Sequence, residues 1–371
     1  MIGDQHLEPG PFLRYDGRIA ELYAIFLPNL ALTIVTAGIW RFWGVTRIRR
    51  YVWSRTSHAG ERFHYDGTGT ELFVGFLLAM GIILGLFVLV MVAVGLSNSI
   101  GVKQLGKAAA VAFVVAWAVL AFGAPFSAQR YRLNHTLWCG IRGGMNGSMI
   151  VYGIQALLCR VAVGSTLFQL WPWSRLRLFE RRINASFFGS QRFASRSSAM
   201  RLYGAGLVTG LAILLLFALA CWMMWHFDAR LLLILTKTED RLRQDQALLL
   251  LLPLLVPMLL VFGIGATLLG CGFQACFLRQ VADGTTLGGL RFSSDVRPWL
   301  VFRLLAGNML IMFCTAGLGL PVVVHRRQCF LAVHLLSQGT LDPALLRQGA
   351  QTPSRFGEGM FQFLDAGAGL A

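Results

Sequence analysis

The chain of 371 residues reads as an all-α polytopic helical membrane protein with about seven hydrophobic segments and three internal repeats. Three observations predict that class. Hydrophobic residues make up 56% and charged residues only 13%, with a mean hydropathy of +0.62, whereas a soluble domain carries about 25% charged residues. Apolar runs long enough to cross a bilayer as a helix, roughly 18 residues or more, recur between Leu22 and Val324. One constant offset also aligns distant parts of the chain. This composition excludes a soluble enzyme, a disordered protein and a nucleic-acid-binding module.

The seven segments are about 20–40, 72–96, 108–126, 149–170, 203–225, 247–278 and 299–324. Short polar turns join the second to the third and the fifth to the sixth. The remaining connections are longer, Arg-rich and aromatic. The sixth run exceeds one straight crossing, so Pro253 and Pro257 are expected to kink it or set its start. The seven cysteines contain no CxxC pair and lie mostly in apolar runs, as small buried hydrophobes do. The opening MIGDQHLEPG lacks a basic stretch ahead of an apolar one, so no cleaved signal peptide is expected.

Residues 28–39, PNLALTIVTAGI, align with 307–318, GNMLIMFCTAGL, at an offset of 279. The same offset pairs Asp16 with Asp295, Arg18 with Arg297, Arg47 with Arg326, Tyr51 with Phe330 and Gly60 with Gly339. An offset of 130 pairs Gly17 with Gly147, Trp43 with Trp173, Arg47 with Arg177 and Glu61-Arg62-Phe63 with Gln191-Arg192-Phe193. The expected organisation is one integral membrane domain over 1–371. It comprises repeat 1 (about 12–67), a helical pair (72–126), repeat 2 (about 142–197), a second pair (203–278), repeat 3 (about 291–345) and a tail (346–371). Within each repeat an Asp/Asn-Gly turn leads to an apolar segment, an Arg/aromatic stretch and a Gly-x-x-Phe turn.

The formal charge of +16 resides almost wholly on arginine. Positive loops held in the cytoplasm account for such an excess. Segments 41–62, 127–147, 172–202, 279–303 and 325–355 carry 6, 3, 7, 4 and 4 arginines against five acidic residues in all. Strict alternation of seven crossings puts 172–202 outside, against that rule. Two arrangements remain open. One has four crossings with three same-side re-entrant segments, broken near Pro28-Asn29, Cys159-Arg160 and Gly307-Asn308, and both termini in the cytoplasm. The other has seven crossings with the middle repeat inverted.

Polar groups at mid-run single out Asn29, Arg160 and Asn308, because an ionisable side chain at depth costs at least ~2.5 kcal/mol and faces a cavity or a partner. Trp40, Arg41, Trp43, Arg47, Arg49 and Arg50, with Trp173, Arg177, Arg326 and Arg327, interleave rings and cations as lipid-headgroup or partner-binding groups do. A generic interfacial anchor explains the same pattern. Gly81, Gly85, Gly206 and Gly210 have the spacing that lets helices approach closely in lipid. Arg303 near a run's edge reads as snorkelling. His58 and His64 flank Glu61 and Asp66 without metal-ligand spacing, and His325 beside Arg326-Arg327 is expected to have a lowered pKa from like charge. There is no HExxH, G-x-S-x-G or P-loop, so neither catalytic residues, a metal nor another cofactor is expected.

Several of these residues resemble one family. Tyr15-Asp16-Gly17, Asn29-Leu30, Thr36-Ala37-Gly38-Ile39-Trp40, Trp43, Arg49-Arg50-Tyr51, the run from Gly60 to Gly69 (GERFHYDGTG) and the closing GMFQFLDAG from Gly359 to Gly367 are similar to the YjgN-like bacterial inner-membrane proteins, a domain of unknown function. The resemblance covers nearly the whole chain; the middle copy departs most. It implies an inner-membrane location and an all-helical fold, and no reaction. The leading functional expectation is transporter- or channel-like handling of a small polar or lipidic solute. The alternative is a non-catalytic membrane scaffold that binds anionic lipid or a membrane-protein partner through its Arg/aromatic face, with no nucleic acid involved.

Overall fold

The computed structural model describes residues 10–99, 102–235 and 261–339. Pro253, Pro257 and the closing 359–367 motif lie outside the described residues. In chain order the elements are β1 (Gly10–Pro11), β2 (Arg14–Tyr15), α1 (Ile19–Val35), α2 (Arg41–Ser54), β3 (Thr56–His58), β4 (Glu61–Tyr65), α3 (Gly69–Ser99), α4 (Lys103–Asn134), β5 (Thr136–Trp138) and β6 (Ile141–Met145). Then follow α5 (Met149–Ser165), α6 (Trp171–Asn184), β7 (Ser186–Phe188), β8 (Gln191–Ser195), α7 (Met200–Leu235), α8 (Val261–Leu269) and α9 (Cys271–Asp283). The series ends with β9 (Thr285–Leu287), β10 (Leu290–Ser294), α10 (Pro298–Cys314), α11 (Leu320–His334) and β11 (Leu335–Gln338).

Two compact units share these elements. The first takes in the described residues of Met1–Ser197, Val281–Asp295 and Ile311–Ala371; the second takes in those of Ser198–Gln280 and Val296–Leu310. The second unit is helical and carries α7, α8, and most of α9 and α10. The first is built on an 11-stranded antiparallel sheet in the order β1-β11-β10-β9-β8-β7-β6-β5-β4-β3-β2. Its two ends, β1 and β2, are separated in the chain by only Phe12 and Leu13, so the sheet nearly closes into a barrel.

Each hairpin of the barrel is made locally. The β3–β4 turn places Ala59 and Gly60 at φ of 50° and 87°, and the β5–β6 turn places Cys139 and Gly140 at 51° and 74°. Two successive left-handed residues give the tight turn whose twist matches that of the flanking strands. The first strand of four hairpins opens on a hydroxyl residue that donates back to the preceding helix: Thr56 to Val52 O (2.8 Å), Thr136 to Arg132 O (2.7 Å), Ser186 to Arg182 O (2.8 Å) and Thr285 to Val281 O (2.7 Å). These bonds satisfy carbonyls that the helix end would leave unpaired. Arg62 and Arg142 reinforce two of these corners. Arg62 donates to Ser54 O and Asp16 Oδ2, and Arg142 to Asn134 O and Asp66 Oδ2, at 2.6–2.7 Å.

Apolar side chains fill the barrel. Trp138, Ile141, Phe188, Leu287, Leu290 and Phe292 form one buried cluster, packed against Phe12, Phe63, Phe193 and Leu335. Ring contacts run from Phe292 through Phe12 and His58 to Trp138 and Phe188. A small barrel filled this way is a core, not a pore.

The all-α expectation is therefore corrected. The strands are two to five residues long, too short to register as alternating runs, and none contributes more than two apolar side chains to the core. Glu61-Arg62-Phe63 and Gln191-Arg192-Phe193 read as turns in the sequence; they lie in β4 and β8.

The seven apolar segments are not seven equivalent spans. Among the described residues, three helices are long and apolar enough to cross a membrane: Gly69–Ser97, Gln104–Asn134 and Met200–Met223. Val261–Leu269 with Cys271–Asp283, bent by 44°, can form a fourth span. The segments at 20–40, 149–170 and 299–324 become 17-residue helices, α1, α5 and α10.

A break was also expected at mid-segment, but α1 runs unbroken through Pro28. Its reversal comes at Thr36, where Thr36 Oγ1 donates to Leu32 O and accepts from Trp40 N, with Ala37 and Gly38 at positive φ. The same bonds form at Thr166 and at Thr315, followed by Leu167 and Phe168 and by Ala316 and Gly317 at positive φ. The residues at these turns are apolar and open: Val35 is 82% exposed, Leu167 83% and Phe313 86%.

Candidate functional site

A polar site lies where α1, α2 and β4 meet. The two helices pack antiparallel, with Leu22 and Phe26 against Ile48 and Val52. Gly44 of α2 allows the close approach: a Cβ there would stand 3.2 Å from Asn29 Cβ. Beside this contact is a cavity of about 790 Å³, lined by Pro28 and Asn29 of α1, Arg47, Arg50, Tyr51 and Ser54 of α2, and His64, Tyr65 and Asp66 at the end of β4.

Asn29 is buried and organises the helix-side wall. Its Nδ2 donates to Ile25 O, while Oδ1 accepts from Trp40 Nε1 at 2.9 Å and from an Arg47 guanidinium nitrogen at 3.2 Å. Trp40 stacks on Trp43 with centroids 5.4 Å apart, and the Arg47 guanidinium lies 5.5 Å from the Trp40 ring. Arg50 donates to Gly67 O at 2.9 Å. Asp66 pairs with Arg142 through Oδ2, while its Oδ1 is buried without a hydrogen-bond partner among the described residues. The wall thus offers two fixed guanidinium groups as anion donors, with hydroxyl and carboxylate acceptors a short way off.

The other expected residues are not among those lining this cavity. Arg49 is buried, not presented to a ligand, and burial pulls its pKa down. Arg41 is exposed beside the hairpin turn. Arg160 of α5 stacks on Phe122 of α4 at 3.7 Å, so it is held by a ring of the neighbouring helix rather than joined to the Asn29 cluster. Asn308 is buried with its Oδ1 unpartnered among the described residues. Trp173 and Arg177 are exposed on α6, where Arg177 reaches Glu180 only at 3.9 Å. On α11, Arg326 is half-buried, and burial lowers the pKa of Arg327. His325 also has a lowered pKa, but the cause is burial beside Tyr15 and Cys329 rather than the neighbouring arginines.

Among the described residues, a Cβ at Gly81, Gly85 or Gly210 would meet nothing within 4 Å; Gly206 is buried. The close helix contact is instead α4 against α5, where a Cβ on Gly153 would collide with Val119 O and one on Gly123 with Met149. Spacing alone could not find this pair, because the two glycines lie on different helices.

The sequence reading also missed a polar cluster at Glu71. Its Oε2 accepts from Thr68 N (3.3 Å) and Tyr131 OH (3.0 Å) and lies 3.2 Å from His135 Nε2, while Thr68 Oγ1 accepts from Glu71 N. Thr68-x-x-Glu71 is a capping box, visible as a motif. Its role in tying the start of α3 to the end of α4 is not. Among the described residues, no cluster of three or more His, Cys, Asp or Glu has the geometry to hold a metal.

Comparison with known proteins places this geometry in a family without an assigned activity. Over 66 residues the chain is 33% identical to the inner membrane protein YjgN of Salmonella typhimurium, a stretch covering 18% of this chain and 17% of that protein. The alignment thus spans about a sixth of that relative's length. No solved structure matches the chain. The family described as bacterial protein of unknown function (DUF898) matches residues 11–363. Its relative's name and the apolar helices agree on a membrane protein of unknown function. The chain belongs to the DUF898 family.

Proposed function

We propose that this protein is a non-catalytic component of the bacterial inner membrane that holds an anionic lipid headgroup in the α1–α2–β4 cavity. One observation carries the reading: a cavity of about 790 Å³ presents Arg47 and Arg50 on one wall, in a hairpin whose turn is apolar and exposed. Guanidinium groups bind phosphate oxygens with directional, charge-assisted bonds. On the same lining the Ser54 hydroxyl, which donates to Tyr51 O, can accept a hydrogen bond from a headgroup hydroxyl. Solute passage has less support, because apolar side chains fill the barrel interior. A membrane-protein partner is the second use of the same basic face.

The test is native mass spectrometry of the detergent-purified protein titrated with phosphatidylglycerol or phosphatidylcholine. Wild type is expected to retain phosphatidylglycerol preferentially, and Arg47→Gln with Arg50→Gln to lose that preference about tenfold or more, as two charge-assisted contacts imply. Equal retention of both lipids by wild type, or an unchanged preference in the double variant, rejects the reading.

The same proposal makes the chain multi-pass, with the barrel and both termini on the cytoplasmic side, because the Arg-rich segments flank the strands. Cys139 is exposed at the β5–β6 turn. With the six other cysteines replaced, it should react with an impermeant thiol reagent only after the cells are permeabilised. Labelling in intact cells puts the barrel outside and overturns this orientation.

A further inference from the structure

A second cavity, of about 350 Å³, lies in the first unit beside α6, lined by Phe126, the turn Asn146-Gly147-Ser148, and Arg177, Glu180, Arg181 and Asn184. Four of these positions correspond to lining positions of the α1–α2–β4 cavity: 47, 50, 51 and 54 become 177, 180, 181 and 184 at the offset of 130. The side chains differ in two decisive respects. Position 50 is Arg and position 180 is Glu, and Tyr51 is replaced by Arg181, so the two-guanidinium wall gives way to an Arg–Glu–Arg wall.

Glu180 is held in place. Its Oε1 accepts from Ser197 N at 2.7 Å, and its side chain is only 12% exposed. Oε2 approaches Arg177 only at 3.9 Å, beyond hydrogen-bond length, so it keeps its capacity for a stronger donor. Arg177 is itself 70% exposed, and Arg181 is exposed on the same lining. The cavity therefore sets one anchored carboxylate among two guanidinium groups. A purely anionic ligand would face the carboxylate, and a cation the two arginines. A ligand with a phosphate and a primary ammonium a few atoms apart satisfies all three.

We infer that this cavity is a second headgroup site that takes a phosphate-plus-ammonium headgroup, with the phosphate on Arg177 and Arg181 and the ammonium on Glu180. The ammonium must carry N–H donors, because a carboxylate accepts hydrogen bonds from them. Phosphatidylethanolamine meets this requirement; the quaternary ammonium of phosphatidylcholine does not. The inference stands apart from the first cavity, which has Arg50 at this position and whose carboxylate, Asp66, is paired with Arg142.

The experiment titrates the full-length detergent-purified protein with phosphatidylethanolamine, phosphatidylcholine and phosphatidylglycerol, with retained lipid read by native mass spectrometry. Arg47→Gln with Arg50→Gln serves as the background that silences the first site. Wild type and this background should both prefer phosphatidylethanolamine to phosphatidylcholine by about tenfold, the worth of one hydrogen bond to a charged group. Glu180→Gln keeps an acceptor for Ser197 N and should remove that preference, while Arg181→Ala weakens retention of every phospholipid at the site. Free O-phosphoethanolamine separates the two sources of this chemistry: it should compete weakly, and competition as strong as the lipid's overturns the lipid assignment. Equal retention of the ethanolamine and choline lipids, or an unchanged preference in Glu180→Gln, overturns the inference even if the first site loses phosphatidylglycerol as expected.

Discussion

The α1–α2 and α5–α6 hairpins begin from the same plan and close differently. Each has a 17-residue helix, a Thr-anchored reversal and a 14-residue return helix that runs into a β-hairpin. In the first, α1 packs on its own return helix, and Gly44 admits Asn29 at the contact. In the second, α5 turns to its other neighbour, and Gly153 and Ala156 bury against α4 and its surroundings. The first hairpin thus holds its polar cavity between its own helices and β4, and the second holds one between α6 and the turn before α5. Where the small residues fall decides which helix is approached, and that choice decides where the arginines face a cavity.

Glycine substitutions break this comparison most strongly. A Cβ at Gly153 meets the Val119 carbonyl oxygen, which belongs to helical backbone and cannot move aside. Gly153→Ala should destabilise by about 1–3 kcal/mol through overpacking. At Gly44 the nearest atom is a side-chain Cβ at 3.2 Å, and Ala gains roughly 0.8–1 kcal/mol of helix propensity. Gly44→Ala should therefore stay close to wild type. Thermal unfolding in detergent ranks the two, and equal losses would mean that the hairpins close alike.

The corner ion pairs come next. Asp66 pairs with Arg142 at 2.6 Å, with both side chains partly exposed; the residue corresponding to Asp16 in the second hairpin is Asn146. Asp66→Asn should cost about 1 kcal/mol, discounted for solvent screening, and Arg142→Ala in that background should add little further loss of the pair. A double-mutant cycle reads the coupling, and a coupling near zero would make the contact ornamental.

The smallest expected effect is a pH dependence. Thr46, Leu176 and His325 occupy one position in three return helices, and only the third titrates. Burial lowers the His325 pKa, so the folded state disfavours the proton that the unfolded chain accepts. The contribution of neutral His325 is then fully present above the ordinary histidine value of about 6.5 and falls away below it, levelling once pH passes beneath the folded pKa. Unfolding midpoints between pH 8 and pH 5 should fall less steeply in His325→Asn than in wild type. Parallel curves would remove His325 as the source.

What was legible in the sequence follows from the range of each interaction. The reversals at Thr36, Thr166 and Thr315 are set by a hydroxyl and its next few residues, and so they leave a local motif. Asn29 was visible as a polar residue in an apolar run, but its partners Trp40 and Arg47 come from beyond the reversal. The barrel was hidden because strands of two to five residues close through pairing between distant parts of the chain, such as Arg291 with Gln338. Arg160 lies at mid-run in its apolar segment, as Asn29 does in its own. Depth does not fix direction, and Arg160 turns to Phe122.

The most direct test of the central claim is a cryo-EM map of the protein in nanodiscs containing phosphatidylglycerol. The account predicts headgroup density in the α1–α2–β4 cavity, with its phosphate in hydrogen-bond contact with Arg47 and Arg50. A cavity holding only water or acyl chain, with the headgroups bound elsewhere, would contradict it.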